Sequence, residues 1–177
     1  MRPIKLPVSF EIKKIPSGKS VNLKNLLKEI SKRKDRGIRI ISAALVIENE
    51  IKDILKNSIF SELKDSRDYV SSLILDSDWC TFSAKIKMLQ SVINKYKFLK
   101  GESKNILYQL LSKVIKYRNA FTHGTISYDH ESNEFILNYF EVQPKTSILD
   151  ESYWEKLEAV FKDTMDKLNM IKMKLSK

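Results

Sequence analysis

Cysteine, histidine, glycine and proline are all scarce in this sequence. Its 177 residues include one cysteine, Cys80, and two histidines, His123 and His130. A single cysteine cannot form an intrachain disulfide or a cysteine-based zinc site, and it suits a reducing cytoplasm. Four glycines and four prolines offer few tight turns, so a sandwich or barrel with many turns is not expected. The composition therefore predicts helices.

Long apolar runs and common catalytic motifs are also missing. No run approaches the roughly 18 apolar residues that a membrane-spanning helix needs, and residues 1–7 lack the apolar segment of a signal peptide. The sequence contains no glycine-rich phosphate loop, no nucleophile elbow and no pair of histidines at metal-ligand spacing. We expect a soluble, cytoplasmic protein without a membrane partner, a cofactor or a metal ion.

Positive charge is in excess. The chain has 32 lysines and arginines against 22 aspartates and glutamates, which gives a formal net charge of +10. Such a surplus attracts polyanions, but it does not identify them. Two interpretations stay open: a nucleic-acid-binding surface, or an ordinary solvated surface rich in lysine. With 42% hydrophobic residues in a chain of this length, we expect one domain with a hydrophobic core.

Apolar residues at helical spacing run through most of the chain. Residues 1–19 are different, because they hold three of the four prolines, and we interpret them as an extended arm. Alternating Val8, Phe10 and Ile12 in this arm could form a short edge strand. After the arm, the period of the apolar residues predicts helices. These helices cover residues 22–34, 35–58, 61–76, 81–96 and 105–123, with a basic loop at 97–104 and Thr81 as a helix cap.

The period of the pattern changes after Gly124. Residues 125–129 and 134–140 are rich in β-branched and aromatic side chains, which predicts a β-hairpin over about 125–142. A final helix is expected over about 150–177, with a stripe suited to packing on another helix within the bundle or across a dimer. The predicted fold class is all-α: a single helical-bundle domain over residues 20–177, with a small β-hairpin after the helix 105–123.

The helix 105–123 carries polar residues at its C-terminal end. Arg118, Asn119 and His123 lie beside its apolar stripe, and Gly124 follows as a natural helix stop. Asn119 and His123 share one side of the helix, whereas Arg118 and His123 are roughly 140° apart and would converge only if the helix unwound toward Gly124. Two interpretations stay open. The residues form a catalytic site, or the two cations cap carbonyls at a helix end where the dipole favours them.

The sequence from Arg118 to His123 resembles the motif of the HEPN superfamily, an arginine, a polar residue, three variable residues and a histidine. Residues 36–55 and 81–89 are similar to the mannitol-repressor-like branch of that superfamily, so the resemblance covers roughly residues 20–125. The chain departs from the subgroup of antitoxin-paired toxins, which have a tyrosine where Thr125 stands. A tyrosine-dependent variant of the chemistry is therefore not expected.

This resemblance implies an all-helical, nucleic-acid-processing domain whose motif helices meet across a homodimer. Many such proteins are metal-independent ribonucleases that act as toxins or in antiviral defence. RNA would then be the substrate, and an antitoxin or another regulatory protein is a further partner to consider. The alternative function is a non-catalytic helical dimer that binds a regulator or nucleic acid. No clear helix-turn-helix recognition helix is present, which argues against direct transcriptional repression.

RNA supplies its own nucleophile, the 2′-hydroxyl, so cleavage needs proton transfer and stabilisation of phosphate charge. In the catalytic interpretation His123 transfers protons, Arg118 stabilises the charge, and Asn119 fixes the histidine tautomer or holds the phosphate. The second copy in a homodimer supplies a second histidine. Thr122 and Glu48 are candidates for supporting roles. Glu48 lies beside a buried stripe, where it either pairs with a lysine or orients Arg118 or His123.

Overall fold

A computed structural model describes residues 9–13 and 23–175 of the chain. Five α-helices contain most of these residues, so the prediction of a mostly helical protein is confirmed. The elements in chain order are β1 (Ser9–Lys13), α1 (Leu23–Ile59), a 3₁₀ helix (Ser61–Ser66), α2 (Arg67–Leu75), α3 (Phe82–Tyr96), α4 (Gly101–His123), β2 (Thr125–Asp129), β3 (Glu134–Phe140), β4 (Pro144–Ile148) and α5 (Glu151–Leu175).

The first helix, α1, is continuous over 37 residues. The prediction of two helices meeting near residue 35 is therefore wrong. The charged stretch around that position is packed against aromatic rings. The guanidinium carbon of Arg33 lies 3.8 Å from the ring centroid of Phe135, and that of Arg36 lies 4.8 Å from the ring centroid of Trp154. Cation–π contacts of this kind let a charged segment continue as one helix along an apolar surface.

The next three helical segments follow the predictions with shifted boundaries. The single helix predicted over 61–76 is a 3₁₀ helix followed by α2. The Thr81 cap is confirmed, because its hydroxyl accepts a hydrogen bond of 3.2 Å from the backbone N–H of Ala84. The predicted basic loop is shorter than expected, since α4 begins at Gly101. This glycine has a φ of +52°, a left-handed conformation that suits glycine at a turn into a helix.

A four-stranded sheet has the order β1-β2-β3-β4. β2 and β3 form the antiparallel hairpin that was predicted over about 125–142. β1 pairs in parallel with β2 at one edge, so the short edge strand expected in the arm is confirmed over the described residues. The rest of the arm, including Val8, lies outside the described residues. β4 pairs antiparallel with β3 and was not predicted, because its polar, mostly exposed residues do not alternate.

The chain divides into two compact units. The first comprises residues up to Ala43 together with Lys116–Glu158, and the second comprises Ala44–Ile115 together with Ala159–Lys177. The end of α4 and the sheet both belong to the first unit, whose buried side chains include Phe121, Ile126, Leu137, Trp154 and Leu157. Those of the second include Ile47, Ile51, Leu89, Leu107 and Leu168. The single domain over 20–177 stays a prediction.

Candidate active site

The last turns of α4 carry the candidate catalytic residues. Leu107, Leu110, Val114 and Phe121 from the predicted apolar stripe are all buried, which sets the rotation of the helix about its axis. The polar residues follow from that rotation. Arg118, beside the stripe, is half-buried, while Asn119 and His123 are exposed.

Phe121 anchors this helix end in the first unit. Its ring stacks on Trp154 with centroids 5.5 Å apart, and it meets Tyr153 at 6.5 Å. Both partners lie at the start of α5. Phe121 lies between Asn119 and His123 in the sequence. Its aromatic packing therefore fixes the direction in which those two exposed side chains leave the helix.

Gly124 ends the helix for a reason other than the predicted one. Of the described glycines only Gly101 has a positive φ, so Gly124 does not act as a left-handed cap. A Cβ atom at Gly124 would collide with the carbonyl oxygen of Ala120. It would also lie 2.9 Å from that of Asn138 and 3.0 Å from Cδ1 of Leu137. Glycine is needed here because β3 passes directly against the backbone.

α4 remains helical through His123. The unwinding that would bring Arg118 and His123 together is therefore absent, and the two side chains stay roughly 140° apart around the helix. Asn119 and His123 are neighbours at positions i and i+4, as predicted from helical spacing. Within one chain the motif thus presents an exposed amide and imidazole on one side, with the half-buried Arg118 next to Asn119.

Over the described residues, Arg118 makes one hydrogen bond, from Nη1 to Oδ1 of Asn119 at 3.2 Å. Over the described residues, neither Arg118 nor His123 donates a hydrogen bond to a backbone carbonyl. Capping of the helix end through such bonds is therefore not what holds these side chains, although the dipole still favours cations at this position. The other four guanidinium N–H groups have no hydrogen-bond partner in the part of the chain that the structure describes.

Lys116 belongs to the same exposed side of α4 and was missed in the sequence. It precedes Asn119 by three residues and His123 by seven, which places the three on one helical strip, and all are exposed. The pKa of nearby Glu141 is lowered by the hydrogen bond from Lys145 and also by the charge of Lys116. The spacing alone was sufficient to find Lys116. We call these residues the Lys116–Asn119–His123 strip.

Thr122 and Glu48 have surroundings that differ from those of the strip. The Thr122 hydroxyl oxygen is shielded from solvent and has no hydrogen-bond partner among the described residues, so it is not presented to a ligand.

Glu48, in the second unit, pairs with Lys85 at 2.5 Å, and the two side chains are only 16% and 7% exposed. The lysine partner predicted for Glu48 is confirmed. A role for Glu48 in orienting Arg118 or His123 stays a prediction.

Three half-buried tyrosines, Tyr117, Tyr139 and Tyr153, lie next to the end of α4. The rings of Tyr117 and Tyr153 meet edge to face at 6.1 Å. Burial raises the pKa of both phenols, and the neighbouring phenol of Tyr139 raises it further. The hydroxyls of Tyr117 and Tyr153 therefore stay protonated well above neutral pH.

Comparison of the chain with protein-family models, with curated proteins and with solved structures finds no match. The HEPN resemblance accordingly rests on the sequence motif and on residues 36–55 and 81–89. Over the described part of the chain, no three histidine, cysteine, aspartate or glutamate side chains are grouped as metal ligands. None of the described helices has the length and apolar composition to cross a membrane.

Proposed function

We propose that the protein is a metal-independent endoribonuclease of the HEPN type, with Arg118, Asn119 and His123 as its catalytic residues. One observation supports this most directly. Asn119 and His123 are exposed on one side of the α4 end, with Arg118 adjacent, and over the described residues neither Arg118 nor His123 donates a hydrogen bond to a backbone carbonyl. A polar trio left available at the surface suits a substrate better than a structural role.

The chemistry requires no group beyond these side chains and the RNA. His123 takes the proton of the 2′-hydroxyl, whose oxygen then bonds to the adjacent phosphorus. The bond from phosphorus to the 5′-oxygen breaks, and a second histidine gives that oxygen a proton. Arg118 pairs with the non-bridging oxygens as charge accumulates on them. The products are a 2′,3′-cyclic phosphate, or its hydrolysed form, and a 5′-hydroxyl.

A homodimer is part of this proposal. One copy of α4 carries a single histidine at its end, and the position of its arginine is roughly 140° around the helix from that of the histidine. Two helix ends that face each other across a two-fold axis would provide two histidines and two arginines around one phosphate. Lys116 lies two helical turns from His123, roughly 10 Å along the axis, where it would hold a neighbouring phosphate.

Uncontrolled RNA cleavage harms the cell that makes the enzyme, so the proposal includes a role as a toxin or antiviral-defence effector. An antitoxin or another regulatory protein would then be a partner. This part rests on the resemblance to HEPN proteins. The alternative, a non-catalytic helical dimer that binds a regulator or nucleic acid, is separated from it by the experiment below.

The test is an RNA-degradation assay in EDTA with wild-type protein beside His123→Ala and Arg118→Ala. We expect the His123 change to lower the rate by about 10²–10⁴ through lost proton transfer. The Arg118 change should lower it by about 10²–10³ through lost charge stabilisation. His130→Ala, which removes the chain's other histidine from the hairpin turn, should leave the rate unchanged.

Two results would count against the proposal. Cleavage that requires added magnesium, or that leaves 5′-phosphate ends, would mean that another mechanism operates. Wild-type protein that binds RNA without cutting it would support the non-catalytic alternative. Circular dichroism of each variant shows whether a loss of activity reflects a loss of fold.

A further inference from the structure

A cavity of about 550 Å³ lies within the first unit. The start of α1, the turn between β2 and β3, and the residues just before α5 surround it. We call it the Arg33 pocket, and its lining includes Arg33, Tyr128, Asn133, Glu134, Phe135 and Asp150. Pockets of roughly 300–1,000 Å³ hold small organic ligands. None of the candidate catalytic residues lines this cavity, so the Arg33 pocket is a separate site.

Flat groups form one side of the pocket. The rings of Tyr128 and Phe135 have centroids 4.9 Å apart, and the Arg33 guanidinium lies 3.8 Å from the Phe135 centroid. Arg33 is held in this position by Glu29, which accepts hydrogen bonds from Nη1 through its backbone carbonyl oxygen and its carboxylate. Aromatic rings and a guanidinium plane of this kind favour a flat, apolar ligand surface.

The pocket also contains a hydrogen-bond donor that lacks an acceptor. The Arg33 Nε atom is shielded from solvent, so a ligand does not reach it, whereas Arg33 Nη2 is not shielded and has no hydrogen-bond partner among the described residues. Asn133 supplies a second donor, because its Oδ1 accepts from the Tyr128 hydroxyl and its Nδ2 has no partner in the same part of the chain. Polar groups left unsatisfied in a partly buried site are commonly satisfied by a ligand or by water.

Two carboxylates supply acceptors. Glu134 is half-buried and has no ion pair or hydrogen bond from its side chain over the described residues. Asp150 uses Oδ1 to accept from the backbone N–H of Tyr153 at 2.7 Å, and its other oxygen has no partner there. The carboxylates of Glu134 and Asp150 also repel a phosphate. A ligand for this pocket therefore carries N–H donors and at least one acceptor on a flat apolar ring, without a negative charge nearby.

We propose that the Arg33 pocket binds a nucleobase. The N–H edge of the base donates hydrogen bonds to the carboxylates of Glu134 and Asp150, and its acceptors accept hydrogen bonds from Nδ2 of Asn133 and Nη2 of Arg33. The base comes either from a free nucleoside or from an RNA strand. Three residue steps of β2 separate Thr125, beside the catalytic helix end, from Tyr128 at the pocket, roughly 10 Å. Use of the pocket for the RNA substrate rests on the proposed function, whereas binding of a nucleoside does not.

Isothermal titration of the full chain with adenosine, guanosine, cytidine and uridine tests the pocket. We expect saturable binding of at least one nucleoside and several-fold weaker binding of its 5′-monophosphate. Glu134→Gln and Asn133→Gly should each weaken binding about tenfold through a lost hydrogen bond. Asn133 has a φ of +59°, so glycine keeps this backbone conformation while removing the side chain. Glu131→Gln, an exposed position on the same turn, is the matched control.

Three results would overturn the proposal: no binding of any of the four nucleosides at millimolar concentration, tighter binding of the monophosphate, or wild-type affinity in both pocket variants. Cleavage of RNA oligonucleotides then identifies the source of the base. If Asn133→Gly changes the bases that are preferred near the cleavage site, the pocket binds a base of the RNA substrate. If the preference is unchanged, the pocket binds a free nucleoside. Nucleoside binding without any RNA cleavage keeps the pocket and overturns the proposed function, whereas cleavage without nucleoside binding does the reverse.

Discussion

The ring of Phe121 lies directly against Gly37, so close that a Cβ atom on Gly37 would be 2.9 Å from Cδ1 of Phe121. Phe121 is fully buried and belongs to the end of α4, while Gly37 lies within α1. A glycine in a helix interior costs about 1 kcal/mol relative to alanine, so its presence calls for a reason of this kind. The contact sets how the end of α4 rests on α1.

Gly37→Ala should therefore destabilise the protein despite the better helix propensity of alanine. The propensity gain is about 1 kcal/mol, while overpacking a buried ring costs typically 1–3 kcal/mol. We expect a net loss of up to roughly 2 kcal/mol in the free energy of unfolding, measured by urea denaturation. Ser31→Ala, on the exposed side of the same helix, should be neutral or slightly stabilising. A Gly37→Ala protein more stable than the wild type would contradict the packing argument.

The buried ion pair of the second unit gives a second prediction. Glu48→Gln removes the charge that compensates Lys85, whose side chain is 7% exposed. Removing one partner of a buried pair costs about 3–5 kcal/mol. The double variant Glu48→Gln with Lys85→Met should regain much of that loss, since no buried charge remains. Under the proposed function, ribonuclease activity per folded molecule should be unchanged in Glu48→Gln, and a specific loss of activity would instead support an orienting role for Glu48.

The helices could be predicted because their apolar residues repeat at helical spacing and are buried by the fold. Trp154, Leu157 and Phe161 of α5, for example, are all buried as predicted. The boundary placed near residue 35 failed because Arg33 and Arg36 rest on Phe135 and Trp154, residues distant in sequence. β4 was missed because an exposed edge strand has no buried side to impose alternation.

A third prediction concerns alkaline pH. Burial, with the neighbouring phenols of Tyr117 and Tyr139, raises the pKa of Tyr153 above its ordinary value of about 10. The unfolded chain then loses this proton more readily than the folded one, so the free energy of unfolding falls as pH rises above about 10. Tyr153→Phe should make that fall shallower in urea titrations at about pH 9 and pH 11. Tyr69→Phe, at a position that is 69% exposed, should behave as the wild type.

Only part of the candidate site could be predicted from the sequence. Helical geometry placed Asn119 and His123 on one side, and the exposure of both is consistent with it. The same geometry would have added Lys116 if the strip had been extended toward the start of the helix. The Arg33 pocket could not be predicted from the sequence, because its lining residues come from α1, from the β2–β3 turn and from the segment before α5. Such a cavity depends on long-range packing that has no local pattern.

Lys116 leads to a fourth prediction, which rests on the proposed function. As a phosphate-binding lysine it should act on substrate affinity, so Lys116→Ala should raise KM while kcat changes little. The effect should shrink as salt is raised, since an exposed charge is screened. Lys113→Ala removes the same charge from α4 at a position about 60° away from Lys116 around the helix, and it should change KM less. Equal effects of the two substitutions would mean that only net charge matters.

The last prediction concerns the second copy of the chain, again under the proposed function. His123→Ala and Arg118→Ala should both remain dimeric in light scattering, because these residues lie beside the apolar stripe of α4 and do not form it. If each cleavage needs a histidine from both copies, a mixed dimer of wild type and His123→Ala is inactive. Wild-type protein exchanged with an equal amount of the variant should then keep about half of its activity, since random pairing leaves about half of the wild-type chains in fully wild-type dimers. Retention of the full activity would show that each chain acts with its own histidine alone, and the two-histidine mechanism would have to be abandoned.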